Sequence, residues 1–473
     1  MVYSWYEEDF AAFILKHDLP AYNREYDIVE FFNKSMTDYI NDFDAMLVAN
    51  QNRSHPVEFY DAISAAKPDI VKHIQQIKEV LDAYEKSDYK TAQEIFDLMM
   101  SELNNDVLLR HINGLDRYYP KLYRVRRVTS EHEKLENPKD LFHIPYTKRQ
   151  LITNERYSLA GYPCLYLASY LGIAWQECGY PGKFYYSEFQ YQYTINEKEQ
   201  KIDVENEWKF ITILRPQQVA SDLLCAINPD RDKMRRTFLT SYVKSFPLFF
   251  VCSIVNLSGD STFKPEFIVP QMLMQWVRRN IDTVRGIHYF SCTDSDDLRR
   301  INGYNIAIPA VNFNEDGLCL DLINKFKVSI PLYCDNLIDK EKHNKISAYK
   351  KDLISSMNGF TSEAIPCASD IYEICNCFDH LMLNASKMNM KLVIQTLFSI
   401  RTNCRYIQTV YKKDNIREKS LSHAHRTDQN KCIELFEQYY DMFFSEIEPI
   451  ISRYIYEIEK IGAADFTDFY SIN

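Results

Sequence analysis

The sequence predicts an α+β protein, with a mixed α/β centre flanked by an N-terminal and a C-terminal helical region. Three observations predict it. Of 11 glycines, eight lie between Gly161 and Gly317, positions 1–112 hold none and positions 318–473 hold two; helices disfavour glycine, and mixed folds need it for turns. In the first hundred positions apolar residues recur every three or four places, as on one face of a helix. In the centre, short apolar and aromatic runs bounded by Gly or Pro read as strands. The chain's 473 residues exceed what one core usually holds. The predicted division is 1–117 helical, 118–335 mixed and 336–473 helical.

Taken in order, Ile28, Phe31, Phe32, Met36, Tyr39, Phe43 and Leu47 form one helical stripe, with Asp27 as a plausible N-cap. Ile70, Ile74, Ile77, Val80, Leu81 and Tyr84 form another, and Pro68-Asp69 marks its start. Ser87 through Met100 reads as a further helix, and the arm as a bundle packed on the centre. The centre begins near Tyr118. Cys164–Ala168, bounded by Gly161 and Pro163, reads as a buried strand, and Leu171, Ala174, Trp175 and Cys178 as a short helix after it. Phe184–Ile195, Phe210–Leu214, Phe249–Leu257, Gly286–Phe290 and Ile306–Ile308 read as strands. Ala220–Ala226, Met234–Val243 and Gln271–Arg279 read as helices. In the last third, Asn336–Asn358 is charged and linker-like, and Ser369-Asp370 caps a helical run through Leu383. Lys391–Tyr411 and Lys431–Tyr456 are long helix candidates, the second kinked at Pro449.

Composition excludes several classes. No apolar run approaches the ~18 residues of a membrane span. The first twenty residues carry Glu7, Glu8 and Asp9 and no basic region, so no signal peptide is expected. The 12 cysteines lack paired spacing, which suits a reducing cytoplasm better than a disulfide framework. A net charge of -11 argues against general nucleic-acid binding, which needs excess Lys and Arg. Cys375, Cys377 and His380 do not share one helix face and have no second pair nearby, so no metal site is expected.

One stretch concentrates chemistry: Asn154 to Tyr180, which holds Arg156, Tyr166 and Glu177 at near-equal intervals. Glu177 sits on or beside the inward face of the short helix. A carboxylate there is paired or functional, because burying it unpaired is costly. The run R-Y-S-x-A-G-x-P-x-L-Y-L-A followed by x-A-x-x-E resembles the RES domain family of bacterial NAD-consuming enzymes. Leu122-Tyr123-Arg124 resembles that family's opening element. Pro270-Gln271 through Gly286-Ile287-His288-Tyr289-Phe290-Ser291 to Asn305 resembles its closing one. The resemblance covers roughly Lys121 to Leu332.

What the resemblance implies is specific. NAD would be the substrate, with no further cofactor. Nicotinamide leaves a cationic ring as a neutral molecule, so no acid is needed to protonate it. The ribose becomes oxocarbenium-like, and one carboxylate, Glu177, would suffice to stabilise it. Tyr166 would present its ring to nicotinamide or ribose, with its hydroxyl free for a hydrogen bond. Arg156, with Arg124 as a second candidate beside Arg126 and Arg127, would grip phosphate through the planar guanidinium fork. The chain has no Gly-rich phosphate loop to do this instead. Ser291 and Asn305 would complete the pocket, while Gln271 reads as a helix-start residue.

Membership would further imply a toxin or anti-phage effector that depletes NAD by transfer to water or phosphate. Restraint by a protein partner or by the helical arms, and a homo-oligomer, belong to the same expectation. Two alternatives use the same pocket: ADP-ribosyl transfer onto a protein or nucleic acid, and nucleotide sensing without turnover. Separately, Arg417 and His423 form R-x5-H, similar to the short signature of the HEPN family of RNA-cutting helical domains. The three-part central motif is the more specific of the two.

Overall fold

The computed structural model describes residues 5–23, 27–51, 57–103, 109–112, 121–130, 133–169, 171–179, 181, 183–196, 201–202, 207–216, 218–220, 232–255, 261–292, 304–335 and 469–471. The long helices expected beyond residue 336, the cysteine–histidine group at 375–380 and the Arg417–His423 pair lie outside the described residues.

The N-terminal helices are α1 (Trp5–Lys16), α2 (Ile28–Asn50), α3 (Val57–Ala65), α4 (Lys67–Glu85) and α5 (Tyr89–Leu103). Asp27 caps α2 as its spacing predicts, accepting from the Val29 and Glu30 amides at 2.8 and 3.2 Å. Pro68 lies in the first turn of α4, where its missing N–H costs nothing. The chain continues as β1 (Leu109–His111), β2 (Lys121–Arg127), β3 (Cys164–Ala168), α6 (Leu171–Glu177), β4 (Lys183–Tyr191), a small hairpin of β5 (Ile195–Asn196) and β6 (Lys201–Ile202), and β7 (Lys209–Thr212). Then come α7 (Asp232–Cys252), α8 (Ile268–Arg279), β8 (Gly286–Tyr289), β9 (Asn305–Pro309), α9 (Leu320–Lys325), β10 (Phe326–Ser329), β11 (Leu332–Asp335) and β12 (Phe469–Ser471).

The fold is α+β, built on a 10-stranded sheet of order β1-β7-β8-β9-β3-β2-β4-β10-β12, with β11 also on β4. β7 and β8 are parallel, and the other pairs are antiparallel. Successive residues of β3 face opposite sides, as the period of two requires. Leu165 and Leu167 pack with Leu122, Phe189, Ile306, Ile308 and Leu322 on one face. Cys164, with Tyr166 against it, joins the core on the other. That second core is continuous from Phe10 of α1 through Phe32, Ile77, Leu81 and Phe96 to Ile211, Ile287 and Ala307 of the sheet. The helical arm and the sheet therefore share one interior.

Two sequence expectations are corrected. Phe249–Leu257, expected as a buried strand, is helical through Cys252, and Ile254 makes only an isolated bridge to Ala21. A helix buried on most sides is apolar throughout, so its run cannot be told from a buried strand by pattern. Phe246, Phe249 and Phe250 all reach the helical core, and Tyr39 stacks on Phe246 at 4.4 Å. Pro247 sits inside this helix. The N-terminal region is also not purely helical: β1 pairs with β7 at the sheet's edge. At the opposite edge β12 pairs with β10.

The sheet has a fork that matters for function. β2 pairs with β4 over seven positions and β3 with β9 over five. β2 and β3 share a single pair, Tyr123 with Ala168. Arg124 spans the opening, its Nη1 donating to the Tyr166 carbonyl at 3.4 Å.

Candidate functional site

A cavity of 620 Å3 opens at this fork, and its wall contains Arg124, Arg156, Tyr166, Glu177 and Asn305 together. That volume falls in the range of ligand sites. Five of the six residues singled out in the sequence thus meet in one hollow. The sixth, Ser291, is buried beside it and hydrogen-bonds the Glu177 side chain.

Glu177 is the last residue of α6. Its side chain is exposed to the cavity that it lines. Asn305 Nδ2 donates to Oε1 at 3.0 Å from the first position of β9. Desolvation raises the carboxyl's proton affinity; the Ser291 hydrogen bond, the Arg156 charge and the Asn305 hydrogen bond oppose that rise. Both hydrogen-bond partners are neutral, and the positive charge nearby is that of Arg156.

Tyr166 is half-buried on β3. Its hydroxyl, expected to be free, donates to Ser158 Oγ at 3.0 Å. Burial pushes its pKa well up, which keeps it a neutral phenol. Arg156 is more constrained than the sequence suggested. Nη1 donates to the Cys252 carbonyl at 3.1 Å and Nη2 to the Ile254 carbonyl at 2.9 Å, and the guanidinium lies 5.2 Å from the Phe267 ring centroid. Two of its five N–H groups are thereby committed to the end of α7. Burial opposes its charge, the Glu177 carboxylate favours it, and a guanidinium stays protonated in either case.

The register of the three neighbouring arginines is now defined. Arg124 lines the cavity. Arg126 pairs with Glu133 at 2.5 Å, and Arg127 donates to the Cys178 carbonyl at 3.0 Å.

Sequence reasoning missed the frame that holds these groups. Residues 155–158 form a tight turn in which the Glu155 and Ser158 amides each donate to the other's carbonyl, at 2.9 and 3.2 Å. Gln271 lies near the start of α8 as expected, but its buried amide reaches across to the Glu155 carbonyl at 3.0 Å. Glu155, Ser158, Lys264, Phe267, Tyr289 and Cys292 also line the cavity. The adjacency of Glu155 to Arg156 was visible, but a glutamate in a turn carries no spacing signal. Among the described residues no group of His, Cys, Asp or Glu is placed to hold a metal ion, and no helix is long and apolar enough to cross a membrane. Cys164, Cys178, Cys252, Cys292 and Cys319 are free thiols.

Comparison with curated proteins finds similarity to a protein of Bacillus subtilis (strain 168) named "Putative toxin YopC", 28% identical over 265 residues. The match covers 54% of this chain and 56% of that protein, so the chain spans about half the length of the curated relative it matches. No family model matches, and no solved structure does.

Proposed function

We propose that the chain is a RES-like enzyme that cleaves the nicotinamide–ribose bond of NAD and acts as a toxin by depleting it. The observation that carries the reading is the meeting of Arg156, Tyr166 and Glu177 in one cavity, with Glu177 held by neutral donors. A carboxylate so placed stabilises positive charge developing on ribose C1′ and its ring oxygen. The bond's electron pair goes to the departing pyridine nitrogen, which becomes neutral without a proton, so a single anionic group meets the electrostatic demand. The Tyr166 ring offers an aromatic face beside it. Arg124 and the remaining N–H groups of Arg156 supply positive charge for the pyrophosphate. The name of the Bacillus subtilis relative supports the toxic role.

The test is chromatography of NAD after incubation with wild-type protein and with Glu177→Ala, with and without phosphate. Nicotinamide should appear with the wild type, and its rate should fall by ~10²-fold or more in the variant, the scale of losing a preorganised electrostatic contact. ADP-ribose identifies water as acceptor, and its 1-phosphate identifies phosphate. Unchanged NAD with the wild type overturns the reading.

A further inference from the structure

The cavity holds a second carboxylate, and the reaction proposed above leaves it without a role. Glu155 is exposed and lines the same wall as Glu177. Its charge is felt at Tyr166 of β3, at Glu177 of α6 and at Cys178 just after it. All three line the cavity, as Glu155 does, so its charge bears on the space they enclose.

The turn that carries it is built from main chain. The Glu155 and Ser158 backbones bond each other twice, and Gln271 fixes the Glu155 carbonyl from α8. The carboxylate itself is not needed for the turn. Its hydrogen bond comes from Thr153 Oγ1, at 3.2 Å, which steadies one oxygen. A glutamate whose main chain is held from both sides and which lines a ligand-sized space is suited to act on what enters that space.

Resting on the NAD reading, we propose that Glu155 is the general base that takes a proton from the acceptor water. Glu177 stabilises the ribose cation, and Glu155 activates the nucleophile. In the step, the C1′–N bond breaks and its electron pair neutralises the pyridinium. The water oxygen bonds C1′, and one water proton passes to the Glu155 carboxylate, which later releases it to solvent. The products are ADP-ribose, nicotinamide and one proton, so atoms and charge balance. Glu155 would take the part of the general base in glycoside cleavage that inverts configuration, whereas Glu177, unlike the acid of that pair, donates no proton because nicotinamide leaves neutral.

The experiment compares full-length wild type, Glu155→Gln and Glu155→Ala for nicotinamide release from NAD, each with and without sodium azide. Azide is a nucleophile with no proton to lose. Both variants should lose ~10²-fold or more in kcat, the usual contribution of a general base, with KM for NAD little changed. Azide should then restore release in Glu155→Ala and yield a ribosyl azide, while Glu177→Ala is not rescued. Melting temperatures should match wild type, because the turn is held by main chain. If the wild type is active and the Glu155 variants equal it, or azide fails to rescue Glu155→Ala, the base assignment is overturned and the NAD reading stands. If the wild type releases no nicotinamide, both fall.

Discussion

At the scale of single residues, Glu177 carries a conflict that can be measured. Burial holds its proton more tightly in the folded chain than in the unfolded one. The sign follows from linkage. A raised carboxyl pKa contributes stability that is fully present below the unfolded value, ~4.3, and is lost as pH rises through the folded value. Once ionised, the side chain therefore weakens the fold while serving the site. Glu177→Gln should melt higher than wild type at pH 7, and the gap should close as pH falls toward 4 in a pH series of thermal melts. The same shift places the acid limb of the wild-type kcat/KM profile above the ordinary carboxylate range. A limb near the unfolded value, with no stability gain in Glu177→Gln, would contradict both statements. The residues that meet in the cavity were legible because Arg156, Tyr166 and Glu177 lie in one short run whose strand and helix fix their facing. The commitment of Arg156 to the Cys252 and Ile254 carbonyls was not legible. Those carbonyls lie almost a hundred positions away, and main-chain acceptors leave no mark on sequence.

At the scale of elements, the central strands are held at a spacing that side chains cannot alter. Gly286 opens β8 between β7 and β9. A methyl group there would lie 2.5 Å from the Ala307 carbonyl oxygen and 3.0 Å from the Phe210 ring. The first obstacle is the backbone of the neighbouring strand, which no rotamer change removes. Gly286→Ala should cost ~1–3 kcal/mol, the usual range for overpacking, in denaturant melts; a variant as stable as wild type would show that the strands separate more readily than described. Long periodic helices such as α2 and α4 were readable because repeated spacing and caps agree. β1 and β12 were not, since each has three residues and its partner strand lies roughly a hundred or more positions distant. A short apolar segment gains its meaning from what it pairs with.

At the scale of the whole molecule, the N-terminal helices belong to the same interior as the sheet. Phe10, Phe32, Ile77 and Phe96 share a core with Ile211, Ile287 and Ala307. Arg279 of α8 adds a two-point bond to Asp97 of α5, at 2.8 and 2.6 Å. Removing residues 1–103 would strip one side of that core and expose a broad apolar surface, the kind that drives association. The truncated chain should be insoluble or aggregated by size-exclusion chromatography. A monodisperse and active product would show instead that the arm is a removable attachment. The arm's helical content was readable from periodicity, and its union with the sheet was not, because a stripe shows which side is buried and not what lies against it.

β3 supplies the last point. Parity largely separates its duties: Cys164, Tyr166 and Ala168 border the hollow, while Leu165 and Leu167 serve the opposite interior, with Leu167 also reaching the hollow's wall. A single inserted or deleted residue in that strand would exchange the two sets, turning leucines toward the ligand space and the tyrosine away from it. Side chains along β3 can therefore drift, while the count of residues between Pro163 and Ala168 cannot.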